Sequence, residues 1–186
     1  EAVDVNWENQ ALMPHLGGAF DLGTVALMSG FVHIDFLCGA NVVLEGPARL
    51  ELLSTTEAIL HYGKLRARVP EPAKGFTIST ANAEIIDLGT EFAIECDYDG
   101  ESEVHVFDGA VEVRDLSPSN QKNRLVKSGA GLRLPHGVNW SDITPDEARF
   151  ADVKDVADLA QVNMSDRLKA WHGHQSTILQ HPALVA

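Results

Sequence analysis

The eight histidines are the side chains of this sequence with the most obvious capacity to bind a metal ion. The densest group is His172, His174 and His181, which has no carboxylates close by in the sequence. Three others fall in three different predicted strands: His33, His61 and His105. A functional site needs three or four convergent ligands with supporting hydrogen bonds, and neither group has a pattern that would supply them. The sequence therefore predicts no metal site and no other cofactor.

Asp87 and Glu91 are the carboxylates whose spacing could suggest a glycosidase, because such enzymes cleave their substrate between two acidic residues. They flank Gly89 within one local turn, and no third group lies close enough in sequence to shift either pKa. Asp and Thr side chains commonly bond nearby backbone at such corners, so we expect these residues to cap the turn. The sequence also lacks the nucleophile, zinc-protease, phosphate-loop and dinucleotide motifs. It therefore predicts a protein that is not an enzyme.

Lys64, Arg66 and Arg68 form the one concentrated basic stripe of the sequence, since alternate residues of a strand share a face. In an acidic chain such a stripe could receive an anionic partner or ligand, and we predict that these residues face a partner. The alternative is a solvated edge strand on which charge prevents unwanted strand pairing. Both interpretations stay open from the sequence.

The acidic composition restricts the classes of partner. The 186 residues carry a formal net charge of −13, with a pI near 4.9. This charge disfavours nucleic acid and anionic lipid headgroups, because both are negatively charged. Hydrophobic residues make up 45% of the chain, enough for a buried core. Cys38 and Cys96 could form a disulfide if their strands are neighbours, or remain buried thiols.

Alternation of apolar and polar residues predicts a series of short β-strands from about residue 23 onward. Gly39, Gly46-Pro47 and Gly63 are predicted to separate strands, and Asp108-Gly109 has the composition of a type I′ hairpin turn. The turn signals recur without a strict repeat period, which favours a sandwich or roll over a solenoid. The predicted fold class is mainly β: a two-sheet sandwich or roll of short antiparallel strands with a short C-terminal helical appendage.

The pattern becomes helical after about residue 140. Thr144-Pro145-Asp146-Glu147 has the composition of a capping box with proline at the first helical position. A second helix is predicted from near Ser165. Its apolar stripe consists of Leu168, Trp171, Ile178 and Leu179. We therefore divide the chain into a lead-in segment (1–22), an all-β domain (23–136) and a helical linker or appendage (137–186).

Eight runs of residues give the chain a resemblance to the FecR domain family: 27–36, 39–48, 50–54, 63–70, 75–78, 87–92, 103–113 and 129–134. The Gly89-Thr90-Glu91-Phe92 and Val106-Phe107-Asp108-Gly109 elements are the most specific of these. The tail from Trp171 to Val185 is similar to the linker that precedes a concanavalin A-like (LamG) domain in some FecR-like proteins.

The resemblance implies a periplasmic domain anchored to the inner membrane through a helix upstream of Glu1. No run of about 18 apolar residues is present in the sequence itself, and we interpret its non-methionine start as a mature end or a boundary within a longer protein. The resemblance also implies signalling to a sigma factor, linked to iron or nutrient uptake. The implied partner is a protein, either the signalling domain of an outer-membrane receptor or another surface protein.

The alternative function left open is a glycan- or cell-wall-binding accessory module, suggested by the lectin-type neighbour. Sugar sites usually present exposed aromatic rings with carboxylate or amide partners. Aromatic residues make up 6% of this chain, and most of them fall at predicted core positions. The sequence therefore favours a protein partner over a glycan.

Overall fold

The computed structural model describes residues 2–8, 22–116, 122–135 and 139–165. Within these ranges the chain is mainly β, as predicted, and it ends in an α-helix (α1) over 153–165. The strands are β1 Ala2–Trp7, β2 Gly23–Asp35, β3 Asn41–Leu52, β4 Glu57–Arg68, β5 Thr77–Ser79, β6 Ala83–Asp87, β7 Glu91–Cys96, β8 Ser102–Asp108, β9 Ala110–Asp115, β10 Asn123–Lys127, β11 Ala130–Leu134 and β12 Ser141–Ile143. The second predicted helix and the group of His172, His174 and His181 lie outside the described residues.

Strand β4 is the point at which the sheet branches. It pairs antiparallel with β3 on one side. On the other side, residues 57–59 pair in parallel with β5, whereas residues 63–68 pair antiparallel with β7. From β4 the sheet divides into a first wing, β5-β6-β9-β10, and a second wing, β7-β8-β11-β12. The parallel pair departs from the antiparallel expectation, because a connection with a 3₁₀ turn at Glu71–Ala73 returns the chain to the start of β4.

The two wings enclose one hydrophobic core. Ile78 and Ile85 of the first wing belong to the same buried cluster as Phe92 and Ile94 of the second wing. All four side chains are completely buried. Strands β10 and β11 are consecutive in the chain and pair with β9 and β8 respectively, so they join the two wings at their far side. The arrangement is a roll formed by one continuous sheet, and it confirms the mainly β class that the strand pattern predicts.

Strands β2, β3 and β4 are 13, 12 and 12 residues long, because glycines bend these strands without ending them. The pairing registers of β3 shift near Gly46, and those of β2 near Gly30. Gly63 has a φ of +106°, and a Cβ there would lie 2.3 Å from the Ala48 Cβ. Glycine at a bulge allows such a close backbone approach. The strand breaks predicted at Gly46-Pro47 and Gly63 are therefore wrong, and these strands are longer than predicted.

After residue 139 the chain returns to the second wing. Strand β12 pairs with β11, and residues 144–152, which we name the strap, then lead to α1. The helix predicted from Thr144 is one 3₁₀ turn, Glu147–Arg149, because the Asp146 side chain accepts the N–H of Ala148 at 3.2 Å and becomes the N-cap. Phe150 ends this turn in an extended conformation.

Helix α1 has a cap of its own that the sequence analysis missed. Asp152 and Asp155 each accept the other's backbone N–H, at 2.8 and 2.9 Å. This is the reciprocal pattern of a capping box, with aspartate at both positions. Val156 then packs the helix against Val3 and Val43. The strap is thus bounded by β12 at one end and by a docked helix at the other.

Candidate interaction surface on the second wing

The outward-facing residues of β4 and the second wing form two rows across the strands. One row contains Lys64, Glu95, Glu103 and Arg133, and the next contains Arg66, Ala93, His105 and Gly131. The rows follow from strand alternation, because the intervening residues point into the core. The first row carries charges of both signs, and the second supplies the main contacts to the strap.

Arg66 is the centre of the contacts between the strap and the sheet, and it is 8% exposed. Its Nε and Nη2 donate to Glu91 Oε1 at 2.8 and 2.5 Å, and Nη2 also donates to Glu147 Oε1 at 2.5 Å. Nη1 donates to the Phe150 carbonyl at 3.4 Å, and the guanidinium carbon lies 4.9 Å from the Phe107 ring centroid. Burial alone would lower the pKa of Arg66, but the two glutamates raise it overall. The buried charge is therefore well compensated.

The structure separates the three residues of the predicted basic stripe. Arg66 is engaged within the chain, Arg68 is exposed, and Lys64 is half-buried. Burial raises the pKa of Glu45, the cross-strand neighbour of Lys64, while the lysine opposes this shift. In place of an external anionic partner, Arg66 pairs with Glu147 of its own chain. The partner-facing role assigned to the stripe stays a prediction, with Arg68 the most accessible of its members.

His105 lies next to Arg66 in the same row and is completely buried. Its Nδ1 accepts the backbone N–H of Asp146 at 3.3 Å, and its Nε2 lies 3.5 Å from Glu103 Oε2. The Phe150 ring centroid is 4.9 Å from that of the imidazole. Burial lowers the pKa of His105, with Glu103 acting in the opposite direction. The neutral ring is therefore favoured at neutral pH, and only that form can accept the Asp146 N–H.

The other two strand histidines each lie beside one carboxylate. His33 Nε2 is 3.3 Å from Asp35, and His61 Nε2 is 3.0 Å from Glu51. Across the described ranges, no group of three or more His, Cys, Asp or Glu residues is arranged to hold a metal ion. Cys38 and Cys96 are both free thiols, so of the two possibilities the disulfide is not formed.

A groove of about 250 Å³ lies beside the strap. Its lining residues are Glu95, Asp97, Glu101, Ser102, Glu103, Arg133 and Arg149. Arg133 donates to Glu103 at 2.7 Å, and Arg149 of the strap pairs with both Glu95 and Glu103. Burial alone would raise the pKa of Glu103, but these arginines lower it overall. The charges of the groove thus help to fix the strap to the sheet.

The turn between β6 and β7 has the capping geometry that the sequence predicts. Asp87 Oδ2 accepts the Gly89 N–H at 2.7 Å, and Asp87 is completely buried. Burial raises the pKa of Asp87 to about 6, although hydrogen bonds from Gly89 and Thr90 oppose the shift. Glu91 pairs with Arg66. The two carboxylates therefore serve separate contacts and do not form an acid-and-nucleophile pair.

Tyr62 and Tyr98 form an aromatic pair that the sequence analysis did not single out. Their ring centroids are 4.4 Å apart with 33° between the ring planes, and Tyr98 is 74% exposed. Tyr98 lies in the turn after β7, where no periodicity shows which strand its ring will meet. The pair adds an exposed aromatic surface near the groove residue Asp97.

The fold and this surface define an all-β roll domain with a strap across its second wing. Residues 32–112, from β2 into β9, match the family described as FecR protein. This part of the chain therefore resembles the FecR family, as its motifs predict. No helix within the described ranges combines the length and apolar character needed to cross a membrane.

Two crystal structures of a "putative anti-sigma factor" from Parabacteroides distasonis resemble this fold, each with a TM-score of 0.55 and 18% sequence identity. The alignments cover 67% and 68% of this chain and 61% of the other protein in both cases. The chain thus spans about three fifths of the length of these proteins, and the likeness is one of fold. None of the curated proteins matches this chain.

Proposed function

We propose that this chain is the non-enzymatic, extracytoplasmic part of a regulatory protein that controls sigma-factor activity through contact with another protein. The FecR match over residues 32–112 is the observation that carries this proposal. The fold shared with the Parabacteroides protein supports it. The proposed partner is the signalling domain of an outer-membrane receptor, or another surface protein, in iron or nutrient uptake.

The proposal includes a location and a connection. The full protein is anchored in the inner membrane through a helix upstream of Glu1, and this part lies in the periplasm. Residues 137–186, of which 139–165 pack on the β domain, connect this domain to a further one. The net charge of −13 supports a protein partner over nucleic acid or an anionic membrane surface.

The outer edge of β10 is a suitable contact surface for such a partner, since among the described residues only β9 pairs with this strand. Strand β10 is the last in the order of the first wing. Leu125 is 51% exposed and lies in the same cross-strand row as Glu112 and Ile86. A strand edge of this kind can accept an added strand through main-chain hydrogen bonds, while exposed side chains give specificity.

Binding to the purified periplasmic signalling domain of the cognate receptor tests the proposal. We expect wild type to bind, Leu125→Lys to bind at least tenfold more weakly, and Leu37→Lys to bind like wild type. Leu37 is the matched control, since it is 90% exposed in the turn after β2. Absence of binding to all candidate receptor domains would count against the proposed function.

The exposed Tyr62–Tyr98 pair favours a second candidate function, the binding of a glycan or cell-wall polymer. Aromatic faces with nearby polar groups are suited to stack on sugar rings, and Tyr98 is accessible for this. Affinity electrophoresis in gels containing polysaccharide tests the idea. Retardation of wild type that disappears in Tyr98→Ala, with no effect of Leu37→Ala, supports a glycan site, and unchanged mobility in all gels opposes it.

A further inference from the structure

The contacts of the strap indicate which kind of peptide binds to the outer face of the second wing. Glu147 reaches Arg66 at 2.5 Å, and three residues later Phe150, which is 4% exposed, lies against His105. Arg66 also donates to the Phe150 carbonyl, and His105 accepts the Asp146 N–H. A buried aromatic anchor next to a paired arginine is the composition of an interaction hot spot.

The contacts of the strap are made chiefly by side chains. The β-ladder that precedes it consists of three residue pairs between β12 and β11 and ends at Ile143. Glu147 has a side chain that is 63% exposed, so its carboxylate can return to water without a large desolvation change. Segments held in this way open at lower free-energy cost than the strands of the core.

When the strap leaves, Arg66 keeps a carboxylate partner on the sheet, whereas Glu95 and Glu103 lose Arg149. Arg66 retains both hydrogen bonds to Glu91, at 2.8 and 2.5 Å. The surface uncovered would contain Ala93, His105 and Phe107, which combine apolar area with one imidazole acceptor. An uncovered face of this composition can bind a second peptide with the same chemistry.

We propose that this face is a peptide-docking site that the strap occupies in the resting protein. A protein partner that presents an acidic residue followed three positions later by an aromatic residue docks there by displacing the strap. The inference rests on the proposed function, since it names the partner chemistry of a contact-based regulator. The net negative charge of the domain disfavours acidic peptides in general, so the buried site of Phe150 beside His105 supplies the selectivity for a segment with the aromatic anchor.

Displacement has a consequence for the C-terminal part of the chain. The strap continues directly into α1, which docks through Val156 on Val3 and Val43. Asn163 of α1 also donates to Asp4 at 2.8 Å. Removal of the strap pulls on the first turn of this helix, so partner binding is coupled to the position of α1. This is the bistable element that a binding signal requires.

Nuclear magnetic resonance with a peptide of residues 144–152 as the probe tests the proposal. The hosts are wild type and the double variant Glu147→Ala/Phe150→Ala, in which the strap is weakened but Arg66 and His105 remain. We expect the double variant to bind the peptide, with shifts at the Arg66, Ala93 and His105 amides. Wild type should bind at least tenfold more weakly, because its tethered strap competes at a local concentration of about millimolar.

A matched peptide carrying the same two alanines is the control, and it should cause no shifts at those amides. In Glu147→Ala alone, where a largely exposed side chain is changed and folding is retained, binding should be intermediate. Absence of shifts in the folded variants, or equal binding by wild type and double variant, would overturn the proposal. The receptor-binding assay reports on the proposed function separately, because it uses a different probe and different variants.

Discussion

The carboxylate of Asp87 is completely buried beneath the β6–β7 turn. Its folded pKa of about 6 lies above the ordinary value of 3.8. Between these values the folded state binds more protons than the unfolded state, so this group destabilises the fold as pH rises. We expect the stability of Asp87→Asn relative to wild type to decrease by up to about 3 kcal/mol as the pH is lowered from 7 to 4.

Urea unfolding of both proteins across that pH range measures the difference. Asp108→Asn, an exposed change in β8, controls for the loss of one negative charge. A pH-independent difference between Asp87→Asn and wild type would show that the buried carboxyl does not titrate in this window.

Arg66 and Arg68 offer a comparison between two cations on one strand face. Arg66→Ala removes the shared partner of Glu91 and Glu147 from a buried position, and we expect it to lower the free energy of unfolding by about 3 kcal/mol. Arg68→Ala removes an exposed side chain and should cost less than about 0.5 kcal/mol. Chemical denaturation distinguishes these outcomes, and equal effects of the two substitutions would contradict the central role of Arg66.

The residue-level predictions succeeded where the contacts are local in sequence. The capping role of Asp87 could be predicted because the N–H that its carboxylate accepts belongs to Gly89, only two residues away. The partners of Arg66 lie 25 and 81 residues away, at Glu91 and Glu147. A stripe of alternating cations indicates a shared face, but it contains no information about what that face meets.

At the scale of elements, the bends of β2 to β4 depend on glycine. Gly63→Ala combines a φ of +106° with a Cβ position 2.3 Å from the Ala48 Cβ. Gly75→Ala is the matched control, because Gly75 has a φ of +91° and no atom within 4 Å of its Cβ position. We expect a cost of about 1–2 kcal/mol for Gly75→Ala, and about 2 kcal/mol more for Gly63→Ala.

Thermal or urea unfolding of both variants measures these costs. Equal destabilisation would mean that β3 and β4 can separate slightly at the bend, and that only the backbone angle requires glycine there.

The presence of the strands was more predictable from the sequence than the residues at which they begin and end. Alternating residues and the Asp108-Gly109 turn indicate β8 and β9 correctly, because a hairpin is a local structure. Inside β4, position 63 needs glycine because Ala48 of the neighbouring strand lies so close, and the sequence alone does not show which residue will be the neighbour. A contact distant in sequence also ends the 3₁₀ turn at Glu147–Arg149, since Phe150 turns away to a buried site beside His105.

At the scale of the whole molecule, the two wings depend on each other. They share β4, and Ile85 and Ile94 belong to one core cluster. We expect the β domain to unfold in a single cooperative transition. Far-UV circular dichroism and near-UV circular dichroism should give coincident urea midpoints, and two separated transitions would show that the wings are independent units.

The class of fold could be predicted from the sequence, but its division into two wings could not. Strand content follows from local patterns, whereas the position of β4 depends on three pairings with β3, β5 and β7. One of these pairings is parallel and requires the chain to return to the start of β4. Such non-local contacts leave no periodic signal in the residues that make them.

The 81-residue separation of Arg66 and Glu147 also matters while the chain is being made. Protein synthesis adds roughly 5–20 residues per second. Glu147, the second carboxylate that pairs with Arg66, is therefore made several seconds after the arginine. Until then a nascent domain has its strands but not its closing segment. The arrival of Glu147 and Phe150 thus covers this side of the sheet, and chains released early would leave it open to their neighbours.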